Sequence, residues 1–144
     1  MPDKATALNI PVNMWGRLHG GEAVSIDNRT IIPEMVLGEK RSPLKITYCT
    51  DTRPTDNIVK LAKDSNLFIC EGMYGDDEKA EDALSKKHMT FSEAASLAKR
   101  ANAKKLWLTH FSPSVKNPEV HKEAAQRIFE NTEIGRDFLS AVIK

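Results

Sequence analysis

The sequence predicts an α/β fold with a mixed sheet and helices mainly on one side of that sheet. Three short apolar segments, rich in β-branched and aromatic residues, predict strands at residues 45–49, 67–70 and 106–108. Helical patterns separate these segments, and such alternation is typical of strands joined by right-handed crossovers. A chain of 144 residues has room for one domain, so we expect a single domain over residues 1–144.

The first part of the chain is expected to be irregular and to be followed by a hairpin. Proline and glycine interrupt the residues up to about 22, so neither a helix nor a strand is predicted there. Residues 23–26 and 29–32 are short alternating runs around Asp27-Asn28, a pair that tolerates positive φ. This pattern predicts a small β-hairpin. Residues 38–43 are expected to form a solvated loop.

A helix is predicted after the strand at residues 45–49. Thr55 is a suitable N-cap, and Asp56 suits the first turn of a helix. The helix is expected to end near Ser65 and to carry an apolar stripe formed by Ile58, Val59, Leu61 and Ala62. Residues 67–70 are apolar throughout, which predicts a strand buried on both faces, as in a parallel sheet.

A capping box opens the next strongly predicted helix. Thr90 and Glu93 have the Ser/Thr-x-x-Glu spacing in which side chains and backbone amides bond reciprocally. The apolar residues of this helix are Ala94, Ala95, Leu97, Ala98 and Ala101. The charged residues 75–87 before it show only a weak helical pattern.

Two further elements are predicted after the strand at residues 106–108. Pro118 stands where a helix can begin, because a proline is tolerated in the first helical turn. Val120, Ala124 and Ile128 are four residues apart and are expected to form the apolar face of that helix. Residues 138–143 are predicted to form the last strand.

The composition excludes several classes of protein. Lys and Arg total 21 and Asp and Glu total 20, so the formal charge of +1 indicates no global attraction to nucleic acid or membrane. No run approaches the ~18 apolar residues of a membrane span, and the first residues lack the pattern of a secretory signal. Two cysteines are too few for a disulfide scaffold, so the expected location is cytoplasmic.

Four polar residues are candidates for a functional site. Asp51, Glu71 and His110 each follow the end of a predicted strand, and His88 lies just before the capping box. In open α/β sheets the functional crevice lies beyond the carboxyl ends of the strands, so these side chains are expected at one rim. Carboxylate and imidazole groups are suitable zinc ligands, and imidazole is also a proton donor near neutral pH.

Each candidate also has an ordinary structural explanation. Asp51 suits a turn in which a carboxylate accepts from backbone amides, and neighbouring amides could equally satisfy Glu71. His110 and His88 could be a strand-end residue and a helix-entry residue without further function. The pattern alone leaves both interpretations open.

Four segments carry a resemblance to a known family. They are residues 48–54 (YCTDTRP), 67–72 (LFICEG), 88–90 (HMT) and 108–113 (LTHFSP), in this order and with suitable spacing. Together they resemble the carboxyl-terminal half of ribonuclease Z, the tRNA 3′-processing endonuclease of the metallo-β-lactamase superfamily. The resemblance extends over nearly the whole chain and implies half of an αββα sandwich.

The resemblance implies a role for each candidate residue. Asp51 matches an aspartate that bridges two zinc ions, and His110 matches a ligand of one of them. His88 matches a histidine thought to act on the scissile phosphate as proton donor or charge stabiliser. Glu71 matches a glutamate that orients this histidine. The implied reaction is hydrolysis of a phosphodiester in precursor tRNA by a zinc-activated water.

The departures from the family pattern concern the metal ligands most of all. The principal motif of the family, His-x-His-x-Asp-His, is absent, and the chain has only four histidines. We therefore expect a missing amino-terminal half that carries the other ligands. Cys70 replaces a histidine before Glu71, and Met89 replaces a serine after His88. Ser114 and its neighbour replace an Arg-Tyr pair of many members.

Two functions follow as alternatives. In the first, the chain is part of a metal-dependent endoribonuclease, binds zinc weakly by itself and is inactive alone. In the second, it is a non-catalytic α/β module for dimerisation or binding, derived from such a hydrolase. In either case an apolar face of half a sandwich would be uncovered, so we expect self-association, as a homodimer or by strand exchange.

Overall fold

The computed structural model describes residues 2–38 and 43–143. The chain separates into two compact units, Met1–Pro43 and Leu44–Lys144. The single domain expected over residues 1–144 stays a prediction. Most of the loop predicted at residues 38–43, namely residues 39–42, lies outside the described residues.

The first unit contains the predicted hairpin and three short helices. Its elements are α1 (Pro2–Ala7), α2 (Val12–His19), β1 (Val24–Ile26), β2 (Arg29–Ile31) and α3 (Pro33–Val36). The strands are antiparallel, with Val24 opposite Ile31, and Asp27 and Asn28 both have positive φ, at 49° and 58°. The hairpin prediction is therefore confirmed.

The irregular structure predicted up to residue 22 was wrong, because α1 and α2 occupy most of that stretch. Helices this short have little periodic pattern and depend on packing for their stability. Leu18 is fully buried in a cluster with Ala5, Ile10 and Val24, and Trp15 Nε1 donates to the carbonyl oxygen of Ile10 at 2.9 Å. Packing of Leu18 against Ala5 and Val24 depends on tertiary structure, so local helix propensity does not predict it.

The second unit alternates strands and helices. Its elements are β3 (Ile46–Cys49), α4 (Asp56–Ala62), β4 (Leu67–Glu71), a 3₁₀ turn (Asp77–Lys79), α5 (Ala80–Ser85), α6 (Phe91–Arg100), β5 (Leu106–Thr109), a second 3₁₀ turn (Pro118–His121), α7 (Lys122–Ile128) and β6 (Thr132–Ile134). None of the helices in the described part of the chain is long and apolar enough to cross a bilayer.

The described strands of this unit form one sheet in the order β3-β4-β5-β6, with all neighbours parallel. The α/β class is confirmed. The sheet was expected to be mixed, whereas among the described residues antiparallel strand pairing is confined to the β1-β2 hairpin. At least one helix follows each of β3, β4 and β5 and returns the chain to the end of the sheet where the strand began. Consecutive strands therefore run in the same direction.

The prediction of a last strand at residues 138–143 was wrong. The strand that pairs with β5 is β6, where Thr132 lies opposite Leu106 and Ile134 lies opposite Leu108. Thr132 and Ile134 are buried, whereas Phe138 is fully exposed. Pairing and burial against β5 decided the position of the strand, and the apolar character of residues 138–143 alone was insufficient.

The helix caps were predicted correctly, but two helix faces were only partly right. Thr55 accepts from the amide of Ile58, and the capping box of α6 has both of its hydrogen bonds. The predicted stripe of α4 included Leu61, which is 58% exposed. Ala125 of α7 is buried, whereas Ala124 and, in the preceding 3₁₀ turn, Val120 are exposed; the third predicted face residue, Ile128, packs against the core. The helix follows a 3₁₀ turn of three residues per turn, which shifts the phase of the pattern.

The two faces of the four-stranded sheet differ in burial. One face carries fully buried Phe68, Cys70, Leu106 and Leu108, which pack in the same core as α6. On the other face, the paired residues Tyr48, Ile69, Trp107 and Glu133 form a row that is at best half-buried. Tyr48 and Ile46, on the edge strand β3, are 63% and 59% exposed.

Gly72 provides space for an aromatic ring directly after β4. A Cβ atom at this position would lie 2.8 Å from Phe91 Cδ1 and 3.3 Å from Leu108 Cδ2. We expect Gly72→Ala to lower the free energy of unfolding by about 1–3 kcal/mol, since both neighbours are fully buried and must shift. Urea denaturation followed by circular dichroism measures this change. Gly38→Ala, where no atom lies within 4 Å, is the control.

Candidate metal centre

The carboxyl edge of the sheet brings the four predicted site residues together. Asp51 follows β3, Glu71 ends β4 and His110 follows β5, so the order β3-β4-β5 places the three in adjacent positions. His88 reaches them from the loop before α6, where its amide donates to the carbonyl oxygen of Ala83 at 2.8 Å. The convergence expected from parallel strands is therefore present in the structure.

Asp51, His88 and His110 form a cluster of possible metal ligands. One ligand atom from each residue lies within 4.8 Å of the others, and no other such cluster of three occurs in residues 2–38 and 43–143. His110 Nε2 is 3.4 Å from Asp51 Oδ1. The rings of His88 and His110 have centroids 5.4 Å apart and are tilted by 41°.

Glu71 holds the ring of His88. The side chain of Glu71 is fully buried, and its two oxygens accept from the amide of Thr52 at 2.5 Å and from His88 Nδ1 at 2.9 Å. A carboxylate only accepts, so Nδ1 carries the hydrogen and Nε2 is the atom that can meet a metal or a substrate. The sequence left two explanations of Glu71 open, a carboxylate satisfied by amides and a carboxylate that orients His88. In the structure Glu71 bonds both to the amide of Thr52 and to the imidazole of His88.

Two residues of the cluster have unusual backbone conformations. Asp51 has φ of 53° and His110 has φ of 59°, in the left-handed region that favours glycine. Aspartate and histidine are among the residues that tolerate this region, but it still has an energetic cost. The turn after each strand therefore directs a polar side chain toward the cluster at the expense of stability.

Because of this backbone cost, replacing His110 by glycine is expected to raise stability and to weaken metal binding. We expect His110→Gly to raise the free energy of unfolding by about 0.5–1 kcal/mol, because glycine adopts this conformation without a Cβ penalty but is more flexible when unfolded. The same variant is expected to lose zinc affinity. Phe138→Gly is the matched control, since exposed Phe138 has φ of 63° and lies outside the cluster. A less stable His110→Gly would contradict the prediction.

Sequence reasoning did not single out Arg53. Its guanidinium Nη1 donates to the carbonyl oxygen of His88 at 2.5 Å and to Glu93 Oε2 at 2.9 Å. The residue lies within the YCTDTRP segment, two positions after Asp51. The closeness of a charged side chain to the candidate ligand Asp51 could have indicated a role for Arg53. Its partner His88 is 35 residues away along the chain, however, so the sequence did not indicate the contact.

Two sulfur-containing departures from the family pattern contact each other beneath the cluster. Cys70 Sγ is 3.8 Å from Met89 Sδ, and both residues are fully buried. Cys49 lies opposite Cys70 in the sheet, and a hydrogen bond between the two thiols lowers the pKa of Cys49 and raises the pKa of Cys70 well above its usual value. Burial further raises the pKa of Cys70. Cys70 therefore acts as a small core residue.

The donor set fits part of a metal centre. Carboxylate oxygen and imidazole nitrogen are ordinary ligands of zinc. Asp51 and His110 provide one of each, but a catalytic zinc needs about three protein ligands, and a two-metal site needs more. Since Glu71 occupies His88 Nδ1, the third donor that the cluster of described residues can add is His88 Nε2. The cluster can contribute to a metal site but does not complete a binuclear one.

Comparisons with known proteins agree with this geometry. Residues 11–111 match the Beta-lactamase superfamily domain family. Ribonuclease Z of Clostridium acetobutylicum is 55% identical over 135 residues, which are 94% of this chain and 44% of that protein. Ribonuclease Z of Lachnoclostridium phytofermentans is 46% identical over 144 residues, which are 100% of this chain and 47% of that protein.

Solved structures show the same fold. The metallo-beta-lactamase fold protein YhfI from Bacillus subtilis superposes with a TM-score of 0.55 at 27% identity, covering 63% of this chain and 37% of that one. Human tRNase Z, short form, superposes with a TM-score of 0.51 at 29% identity, covering 66% and 32%. The predicted metallo-β-lactamase fold is confirmed.

This chain matches only part of each curated relative. The chain spans about half the length of the curated relatives it matches, 44% and 47% of the two described above. Identity of this degree over nearly the whole chain, together with the family match and the shared fold, settles the relationship. The chain belongs to the beta-lactamase superfamily, and its relatives there are ribonucleases Z.

Proposed function

We propose that this chain is the carboxyl-terminal portion of a zinc-dependent endoribonuclease that processes tRNA 3′ ends, and that it is inactive alone. The observation that carries the proposal is the convergence of Asp51, His88 and His110 in a chain that is 55% identical to a ribonuclease Z. The proposed substrate is precursor tRNA, and the proposed place of action is the cytoplasm.

In this proposal Asp51 and His110 hold the metal. When bound, zinc supplies a Lewis acid that acidifies water and stabilises negative charge on a phosphate. The exposed carboxylate of Asp51 and the half-exposed imidazole of His110 are open to a ligand from outside the chain, with side-chain exposures of 64% and 38%. Their separation of 3.4 Å lets both approach one cation.

His88 is the proposed proton donor. Glu71 accepts from Nδ1, which fixes the ring and directs Nε2 away from the buried carboxylate. A proton on Nε2 can pass to the 3′-oxygen that leaves when the phosphodiester breaks. The imidazolium that precedes this transfer is stabilised by the adjacent Glu71 carboxylate, which is the arrangement a general acid needs.

The proposed partner is an amino-terminal portion that carries the remaining metal ligands. The described residues bring three donors together, and the His-x-His-x-Asp-His motif is absent from the sequence. The sheet face bearing Ile46, Tyr48, Ile69 and Trp107 is apolar and incompletely covered, as expected for a surface that packs against a second layer.

Complementation tests this proposal. The chain is mixed with the portion of the Clostridium acetobutylicum relative that it does not match, and cleavage of precursor tRNA is measured with and without zinc. We expect no cleavage by either piece, zinc-dependent cleavage by the mixture, and loss of cleavage with His110→Ala. His19→Ala, in α2 of the other unit, is the matched control. Cleavage by the chain alone would disprove its incompleteness.

The missing histidine motif also favours a second candidate, a non-catalytic module for binding or dimerisation.

Both candidates predict that the isolated chain self-associates through its uncovered apolar face. Light scattering at micromolar concentrations is expected to show dimers or larger species, and Tyr48→Lys, on the edge strand, is expected to reduce them. A chain that stays monomeric throughout would contradict this. Stable association with the complementing portion but no cleavage would favour the second candidate.

A further inference from the structure

Arg53 connects the loop that carries Asp51 to the loop that carries His88. Its Nη1 donates to the backbone carbonyl oxygen of His88 at 2.5 Å, across 35 residues of sequence. The Arg53 side chain is 28% exposed, so the bond is partly shielded from competing water. A charged donor on a neutral carbonyl forms a stronger hydrogen bond than a neutral donor does.

Glu93 fixes the orientation of this guanidinium. Glu93 Oε2 accepts from Arg53 Nη1 at 2.9 Å, and Glu93 Oε1 accepts from Nη2 at 2.5 Å, which is a bidentate pair. The same Oε2 accepts from the amide of Thr90 at 2.9 Å in the capping box of α6. Because Thr90 is two residues from His88, the ion pair and the cap both constrain the segment that carries the imidazole.

We propose that Arg53 is a positioning residue that holds the backbone of His88 beside Asp51. Glu71 holds the ring of His88 and also binds the amide of Thr52, so the two loops are linked once through the side chain of His88 and once through its carbonyl. Two attachments on opposite sides of the residue restrict both translation and rotation of the ring. The catalytic meaning of this restriction rests on the proposed function of His88, whereas the restriction itself does not.

A direct contact with RNA phosphate is the other role that an arginine near this site could have. Two of the nitrogens of Arg53 already face Glu93, and one of them also faces the His88 carbonyl. A phosphate bound across the two Nη groups would have to displace a bidentate carboxylate that also caps α6. The geometry therefore favours positioning, and binding of inorganic phosphate by the free chain is not expected.

The test uses the metal-free 144-residue chain and needs no RNA. Arg53→Met removes the donors and keeps a side chain of similar length. The readouts are the carbonyl ¹³C shift of His88, which reports its hydrogen bond, and the nuclear Overhauser effect between the rings of His88 and His110. We expect the carbonyl signal to move upfield and the effect between the rings to be lost. Arg100→Met is the matched control, since Arg100 pairs with exposed Asp56 and has no bond to His88.

Glu93→Gln provides a second variant in case Arg53→Met does not fold. Glutamine keeps the capping-box acceptor for Thr90 but removes the charge opposite Arg53. We expect a smaller shift of the His88 carbonyl signal in the same direction. The inference is overturned if the His88 signals of either variant move no further than those of Arg100→Met. It would survive a failed complementation with the Clostridium acetobutylicum portion, because these readouts do not depend on cleavage.

Discussion

His88→Ala is expected to lower the free energy of unfolding by about 3 kcal/mol, a large effect for a residue at the edge of a sheet. The cause is the partner that remains. Glu71 is fully buried, and without the imidazole its carboxylate keeps only the amide of Thr52 at 2.5 Å. A buried charge that loses its partner is strongly destabilising. Urea denaturation at neutral pH measures the loss.

A double-mutant cycle separates this cause from a simple loss of packing. In a Glu71→Gln background no charge is stranded, so His88→Ala is expected to cost at least 1 kcal/mol less, within the ~0.5–3 kcal/mol typical of contacting pairs. Equal costs in both backgrounds would refute the argument. If the proposed complementation yields tRNA cleavage, His88→Ala is also expected to lower it by about 10²–10⁴-fold, the usual contribution of the general acid that His88 is proposed to be.

Phe91→Ala is expected to lower the free energy of unfolding by about 3–5 kcal/mol, the cost of truncating a large buried aromatic residue. Phe91 is fully buried at the start of α6, and its ring lies 5.4 Å from that of Phe111 at a tilt of 50°. The ring also fills the space beside Gly72. Its removal therefore leaves a cavity directly behind the loop that carries His88.

The same cavity predicts strong coupling with Gly72. In wild type a Cβ at position 72 meets the Phe91 ring at 2.8 Å, whereas in Phe91→Ala that contact is absent. We expect Gly72→Ala to cost less in the Phe91→Ala background, where the 3.3 Å approach to Leu108 Cδ2 remains. Thermal or urea unfolding of the two single variants and the double variant measures the coupling. An additive double variant would show that Gly72 is required for another reason.

Local sequence patterns predicted the parts of the fold whose stability is local or strongly apolar. The capping box at Thr90 and Glu93 forms within four residues, and residues 67–70 are apolar because most side chains of the central strand β4 are buried. The helices α1 and α2 and the strand β6 were missed or misplaced. Each is short and owes its existence to burial against residues far along the chain, as Thr132 does against Leu106.

The candidate site follows the same division. By itself, the sequence identified Asp51, Glu71, His88 and His110 as candidate site residues. Its four motifs also indicated the family. Only the tertiary structure decided that three of them lie within 4.8 Å, that Glu71 is buried against His88, and that Arg53 bonds to the carbonyl of His88. Residue types and spacing specify what a side chain can do, but parallel packing of separate strands sets the distances at which it acts.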